Sequence, residues 1–204
     1  VESRTSRTAG MDVEILLYDG FDELDAVGPY EVLANAVEYA DEGGSVRMVT
    51  LEDREFVTAS HGLRVGSDGE LAEPDLLVVP GGGWSEPGPG VRAEYDDGRI
   101  PDRLATLPET TNVATVCTGA MLAAKAGLFR EKATTHAVAR DDLAASGVEV
   151  VDARVVDDGV VSAAGVTSGL DAGFYLVERA FGSEIRDRVA REMEYEPRDD
   201  VLVV

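Results

Sequence analysis

The chain has 204 residues, enough for one domain with a sizeable core, and 44% of them are hydrophobic, which excludes a disordered acidic chain. Forty acidic residues against 18 basic ones leave a net charge of −22. This coat repels nucleic acid and anionic membranes and, with lysine only at Lys125 and Lys132, resembles proteins of high-salt cytoplasm.

A single cysteine, Cys117, excludes an intrachain disulfide and fits a reducing cytosol. No apolar run approaches the roughly 18 residues of a membrane span. Residues 1–10 are polar and lack the apolar stretch of a secretory signal, so a short N-terminal tail and a cytoplasmic protein are expected.

In chain order, Asp12 to Tyr18 is expected to form the first strand, and Asp19-Gly20 opens a loop. From Leu24 the spacing of Tyr30, Leu33, Ala34 and Val37 predicts a helix, with Gly28-Pro29 near its start. Val46 to Leu51 is a second strand. Ser60-His61-Gly62 sits between two short β runs as a hairpin tip. Asp75 to Pro80 is a third, buried strand ending in Gly81-Gly82-Gly83, and Arg99 to Leu107 is a short helix. Asn112 to Cys117 is a strand and Thr118 to Gly127 a helix, with no spacer between them. Val138 to Ser146 is helical. Val148 to Val151, Arg154 to Val156 and Val160 to Ala163 are strands, the last two joined at Asp157-Asp158-Gly159. Helices over Thr167 to Phe181 and Glu184 to Tyr195 follow.

Strands alternating with helices, and strands apolar on both faces, imply an α/β fold: one flavodoxin-like parallel sheet with helices on both sides. The domain is expected to span 11–197, with 198–204 a C-terminal tail. Ligands of such sheets bind at the carboxyl ends of the strands, where Gly81-Gly82-Gly83 and Cys117 both fall.

Cys117 has the setting of a nucleophile elbow, a strand-to-helix turn that lifts one side chain out of the sheet. Its place at a helix N-terminus favours a thiolate. The plainer alternative is a buried, inert cysteine. The glycines after Pro80, Gly82 and Gly83 among them, and the N–H of Thr118 are candidate donors for developing negative charge. Asp19, Asp22, Glu23 and Asp25 follow the first strand on the same rim. Asp25, between Leu24 and Ala26-Val27, is the one expected to be buried, with a raised pKa and a proton to give. His136 follows Thr134-Thr135 soon after the elbow helix and is a second candidate, ahead of His61 in the hairpin. The sequence contains no G-x-S-x-G, no HExxH and no second cysteine for zinc, so neither a serine triad nor a metal is expected.

These residues resemble the PfpI/ThiJ superfamily, the class I glutamine-amidotransferase-like fold. Leu24-Asp25-Ala-Val-Gly28-Pro29 looks like its first-helix motif, Ala59-Ser60-His61-Gly62-Leu63 like its small hairpin, and Val79-Pro80-Gly81-Gly82 like its third-strand signature. Val116-Cys117-Thr118-Gly119-Ala120 looks like its elbow, followed as in the family by Ala133-Thr134-Thr135-His136. Arg154-Val-Val-Asp-Asp158-Gly159, Gly165-Val-Thr-Ser-Gly169-Leu-Asp171 and Glu194-Tyr195-Glu196-Pro197 complete the match.

Cys-Thr-Gly at the elbow, with the first-helix and terminal motifs, is most similar to the isonitrile hydratase branch and to the sensor half of AraC-type regulators. The hydratase resemblance implies Cys117 as nucleophile, Asp25 as acid/base, Thr118 and Gly82 holding developing charge, and Gly83 and His136 near the substrate. It implies no cofactor, a small-molecule substrate and a homodimer. Thr118 stands where the peptidase-like branch carries His, which argues against peptidase activity. Ala137 stands where the hydratase and regulator branches usually carry Trp. The Thr-Thr-His pattern also resembles the glyoxalase/deglycase branch, so a cofactor-free enzyme acting on small carbonyl compounds is the alternative, with a redox sensor as a third. A DNA-binding regulator is not expected, since no DNA-binding half accompanies this acidic chain.

Overall fold

The computed structural model describes residues 10–41 and 43–204. The expected N-terminal tail, all but Gly10, lies outside these residues.

The apolar strands assemble as the α/β pattern requires. β1 (Met11–Leu17) is buried from Val13 onward and lies inside the sheet, between β2 (Gly44–Thr50) and β5 (Leu76–Val79). β6 (Asn112–Val116) flanks β5, and β10 (Val160–Ala163) flanks β6. All of these neighbours run parallel. β9 (Val155–Asp158) turns back antiparallel to β10 through Gly159, whose φ of 84° suits glycine. β11 (Val201–Val203) joins β9 and completes a seven-stranded, mainly parallel sheet. That strand corrects the expected C-terminal tail: Val201-Leu202-Val203 satisfies its backbone on the sheet edge.

Two small ribbons lie outside the main sheet. β3 (Phe56–Thr58) and β4 (Arg64–Gly66) form the expected hairpin, and β7 (Lys132–Ala133) pairs with β8 (Glu149–Val150). One face of the sheet is covered by α1 (Glu23–Tyr39), α6 (Ser168–Phe181) and α7 (Ser183–Glu192), which pack on one another. The other carries α2 (Val91–Asp97), α3 (Arg99–Ala105), α4 (Ala120–Lys125) and α5 (Arg140–Ala145). α2 was not legible as a helix because Gly90 and Gly98 bracket a mostly polar run. No helix among the described residues is long and apolar enough to cross a membrane.

Glycine sets the depth of one contact that matters for the site. A Cβ on Gly169 of α6 would sit 3.1 Å from a Val116 methyl and 3.4 Å from the Pro29 ring, so α1, α6 and the end of β6 meet there without room for a side chain. Pro29 lies inside α1 rather than at its start, and its missing N–H leaves the carbonyl of Asp25 without its helical donor.

Candidate active site

β1, β5 and β6 are neighbours and run parallel, so their carboxyl ends deliver Tyr18, Gly81 and Cys117 to one place. After Tyr18 the chain reverses at once: the Phe21 N–H donates to the Tyr18 carbonyl at 3.2 Å, with Gly20 at φ 81° inside the turn. Asp22 then caps α1, accepting from the Leu24 N–H at 3.3 Å, and Asp25 falls in the first helical turn, facing inward and fully buried.

Cys117 occupies the elbow. Val116 is extended, and Cys117 has φ 57°, a left-handed conformation that is uncommon for a residue with a Cβ and costs on the order of 1–3 kcal/mol. The chain then makes one 3-10 turn, Cys117–Gly119, before α4. Gly119 lets the turn press onto the end of β5, where a Cβ would lie 2.3 Å from the Val79 carbonyl oxygen and 2.7 Å from that of Pro80. The Thr135 hydroxyl donates to the Cys117 carbonyl at 2.7 Å and ties the turn down from the other side.

Gly81 is where the parts converge. A Cβ there would meet Asp25 Oδ2 at 2.7 Å, the Thr118 nitrogen at 2.7 Å and Cys117 Cβ at 2.8 Å, so only glycine leaves this space open. The Gly81 N–H donates to Asp25 Oδ2 at 3.0 Å. Asp25 Oδ1 has no conventional hydrogen-bond partner. The Cys117 thiol lies near enough to the carboxyl for each group to shift the other's proton affinity.

Burial, with the charge of Asp22 added, pushes the Asp25 carboxyl up to about 7, against the opposing pull of the Cys117 thiol and the Gly81 N–H. Burial and the Asp25 charge push the Cys117 thiol well above its ordinary value, and the Thr118 N–H and hydroxyl oppose them without prevailing. This corrects the expectation that the elbow alone favours a thiolate. The turn and the six-residue helix behind it are too short to outweigh a dry setting next to a carboxylate. The two groups therefore hold proton and charge jointly, and the protonation of each sets that of the other.

Thr118 is buried and stitched to the rim: its hydroxyl donates to the Gly82 carbonyl at 2.7 Å and accepts from the Gly82 N–H at 2.9 Å. The Gly82 N–H expected as a charge-stabilising donor is thus engaged inside the protein. The Gly83 carbonyl accepts from the Arg92 N–H at 2.9 Å, and Gly83 packs against Pro89 and Gly90. His136 is half-buried, and its Nδ1 accepts from the Val138 N–H at 3.3 Å; no hydrogen bond joins it to Cys117 or Asp25. His61 is exposed and belongs to a separate clasp. Its backbone and ring nitrogens both reach Glu23 at 2.8 Å, pinning the hairpin tip to the start of α1. Asp22, Glu23 and His61 are the one group of metal-ligand types drawn together among the described residues, and they are engaged with one another and with the helix cap.

Sequence reasoning missed two residues here. Gly81, not Gly82, holds the carboxyl. Tyr18, at the end of the first strand, is buried with its hydroxyl donated to the Pro80 carbonyl, and burial and the charges of Asp25 and Cys117 keep it protonated. The available signal was a tyrosine at the end of an apolar strand, on the same rim as the candidate nucleophile.

Residues 11–179 match the model of the DJ-1/PfpI family. Over 193 residues the chain is 31% identical to the isonitrile hydratase of Pseudomonas putida, covering 92% of this chain and 79% of that protein. It is 30% identical over 177 residues to a deglycase of Pyrococcus horikoshii, covering 84% and 97% respectively. Among solved structures, a ThiJ/PfpI family protein from Pseudomonas syringae superposes with a TM-score of 0.78 at 28% identity, over 93% of this chain and 77% of that one.

Proposed function

The chain belongs to the DJ-1/PfpI family, and from that premise we propose that it is a cysteine-dependent enzyme of the isonitrile hydratase type. The observation that carries the reading is the buried Asp25 carboxyl, raised to about 7 and set against the Cys117 thiol. A carboxyl with that pKa can both hold a proton and release it at neutral pH, which is what a general acid/base requires.

In this reading the Cys117 sulfur bonds to the terminal carbon of a small isonitrile and Asp25 delivers a proton to the same carbon, giving a thioimidate. The thiol proton returns to the Asp25 carboxylate. Asp25, protonated again, gives its proton to the imine nitrogen and takes one from the water that adds to the carbon; the C–S bond then breaks as the new hydroxyl proton passes to the sulfur, and an N-substituted formamide leaves. The sum is one isonitrile and one water to one formamide. The Thr118 N–H faces the site and is the donor for negative charge that develops during water attack. Gly82 acts indirectly, by holding Thr118. The support is the 31% identity to an isonitrile hydratase together with Thr118 directly after the cysteine.

The deglycase relatives favour a second reading, the same pair acting on a small carbonyl compound without a cofactor. A panel of a simple isonitrile and methylglyoxal, run on the wild type and Cys117→Ala, separates the two. The proposal predicts formamide production by the wild type alone, abolished in Cys117→Ala. Isonitrile turnover that survives the mutation, or turnover of methylglyoxal only, sinks it. A third outcome, no turnover with ready oxidation of Cys117 seen by intact mass after peroxide, would point to a sensor.

A further inference from the structure

Pro80 interrupts β5 at the point where the site begins. It has no N–H to give to the sheet, and its carbonyl lies past the last paired residues of β1 and β5. A buried carbonyl in that position needs a donor. The Tyr18 hydroxyl supplies it across 62 residues of sequence. The same carbonyl is the surface on which Gly119 of the elbow rests. The two residues that follow, Gly81 and Gly82, send their N–H groups to Asp25 and Thr118. Tyr18 also closes the turn that brings in α1, because its own carbonyl accepts the Phe21 N–H. One residue thus touches both routes by which Asp25 is placed: the turn before α1 and the glycine rim after Pro80.

We propose that Tyr18 is a positioning residue for the Cys117–Asp25 pair, fixing through the Pro80 carbonyl the Gly81 N–H that holds the carboxyl and the Gly82 N–H that holds Thr118. Without the hydroxyl, the Pro80 carbonyl loses its donor and the rim can drift off the carboxyl. The carboxylate form of Asp25 then loses stabilisation, and the proton shared by the pair is held to higher pH. Burial of Tyr18 beside both groups, with its hydroxyl kept neutral by their charge, agrees with this placement.

The proposal rests on the reading of Cys117 and Asp25 as a reactive pair, so its test reads the pair without any substrate. The Asp25 carboxyl is titrated against pH by 13C NMR in the wild type and in Tyr18→Phe, which keeps the ring and removes only the hydroxyl. The midpoint of the profile is expected to move upward by half a pH unit or more, with the thermal midpoint recorded alongside. A purely structural role would lower the thermal midpoint and leave the profile where it was, and that result overturns the proposal. Should Tyr18→Phe fail to fold, 3-fluorotyrosine at position 18 retains the bond with a stronger donor, and the midpoint is expected to move downward; an unmoved midpoint again overturns it. A wild-type midpoint in the ordinary carboxylate range would instead count against the reactive pair itself.

Discussion

Asp25, Asp158 and Asp171 are the buried aspartates among the described residues, and the protein treats the two deepest, Asp25 and Asp171, in opposite ways. Asp171, on α6, is 1% exposed and every bonding direction is used: Arg154 grips Oδ2 at 2.7 Å and below, while the Tyr195 hydroxyl and the Arg198 N–H reach Oδ1 at 3.0 and 2.9 Å. Tyr195 in turn stacks on Phe174, with ring centroids 5.5 Å apart. This cluster fastens the segment after α7 onto α6 and so leads the chain to β11. Asp25 is as deeply buried, but has one backbone N–H on Oδ2, no conventional partner on Oδ1, a neighbouring acid in Asp22 and a thiol beside it. Burial with full pairing makes a clamp; burial without it leaves a group whose proton is negotiable. The contrast marks which end of the molecule holds the candidate site more clearly than sequence motifs do, since both aspartates lie in motifs of equal apparent strength.

The comparison can be broken at either aspartate. Replacing Asp25 with Asn keeps the shape and removes the proton carrier, and turnover should fall by about 10²–10⁴-fold, the range associated with losing a general acid/base. Activity within a few-fold of wild type would mean that Asp25 is a second clamp. Replacing Asp171 with Ala should cost about 3–5 kcal/mol of stability, because it leaves Arg154 without its buried partner. Chemical denaturation measures that loss, and the midpoint of the Asp25 titration should be unchanged in whatever fraction stays folded. A shifted midpoint would show that the two regions are coupled.

The smallest effect is a pH dependence of stability. The folded pKa of Asp25, about 7, lies above the unfolded value of 3.8. The folded state therefore binds this proton more tightly, so the contribution of Asp25 is most favourable below pH 4 and is lost as pH rises towards 7. Asp25→Asn should remove that downward slope, worth on the order of a few kcal/mol across the window, and should be the more stable protein near neutrality. A wild-type and variant difference that does not vary between pH 4 and 7 would contradict this.

Most strands, the elbow and the burial of Asp25 were legible in the sequence because they depend on local pattern: apolar runs for β1, β5 and β6, a missing spacer at Cys117, and apolar neighbours around Asp25. What was not legible depends on which strand ends become neighbours. Gly81 and Gly82 are equivalent in the sequence, and only the placement of β5 between β1 and β6 lets Gly81 meet Asp25 while Gly82 meets Thr118. The direction of the Cys117 shift is hidden for the same reason: a helix N-terminus is visible in the sequence, whereas what outweighs it is burial, helped by a carboxylate that arrives from α1, 92 positions earlier. β11 is not legible because three residues after a charged stretch carry too little periodicity to read as a strand. Tyr18 looked like the end of a strand and nothing more, since its partner is a carbonyl on another strand.

The central claim is that Asp25 carries an exchangeable proton at neutral pH beside Cys117. The most direct test is a titration of the Asp25 side-chain carboxyl by 13C NMR in the reduced protein, assigned by comparison with Asp25→Asn. A midpoint near 7 is expected. A midpoint in the ordinary carboxylate range, about 4, would contradict it and leave Cys117 without a proton partner.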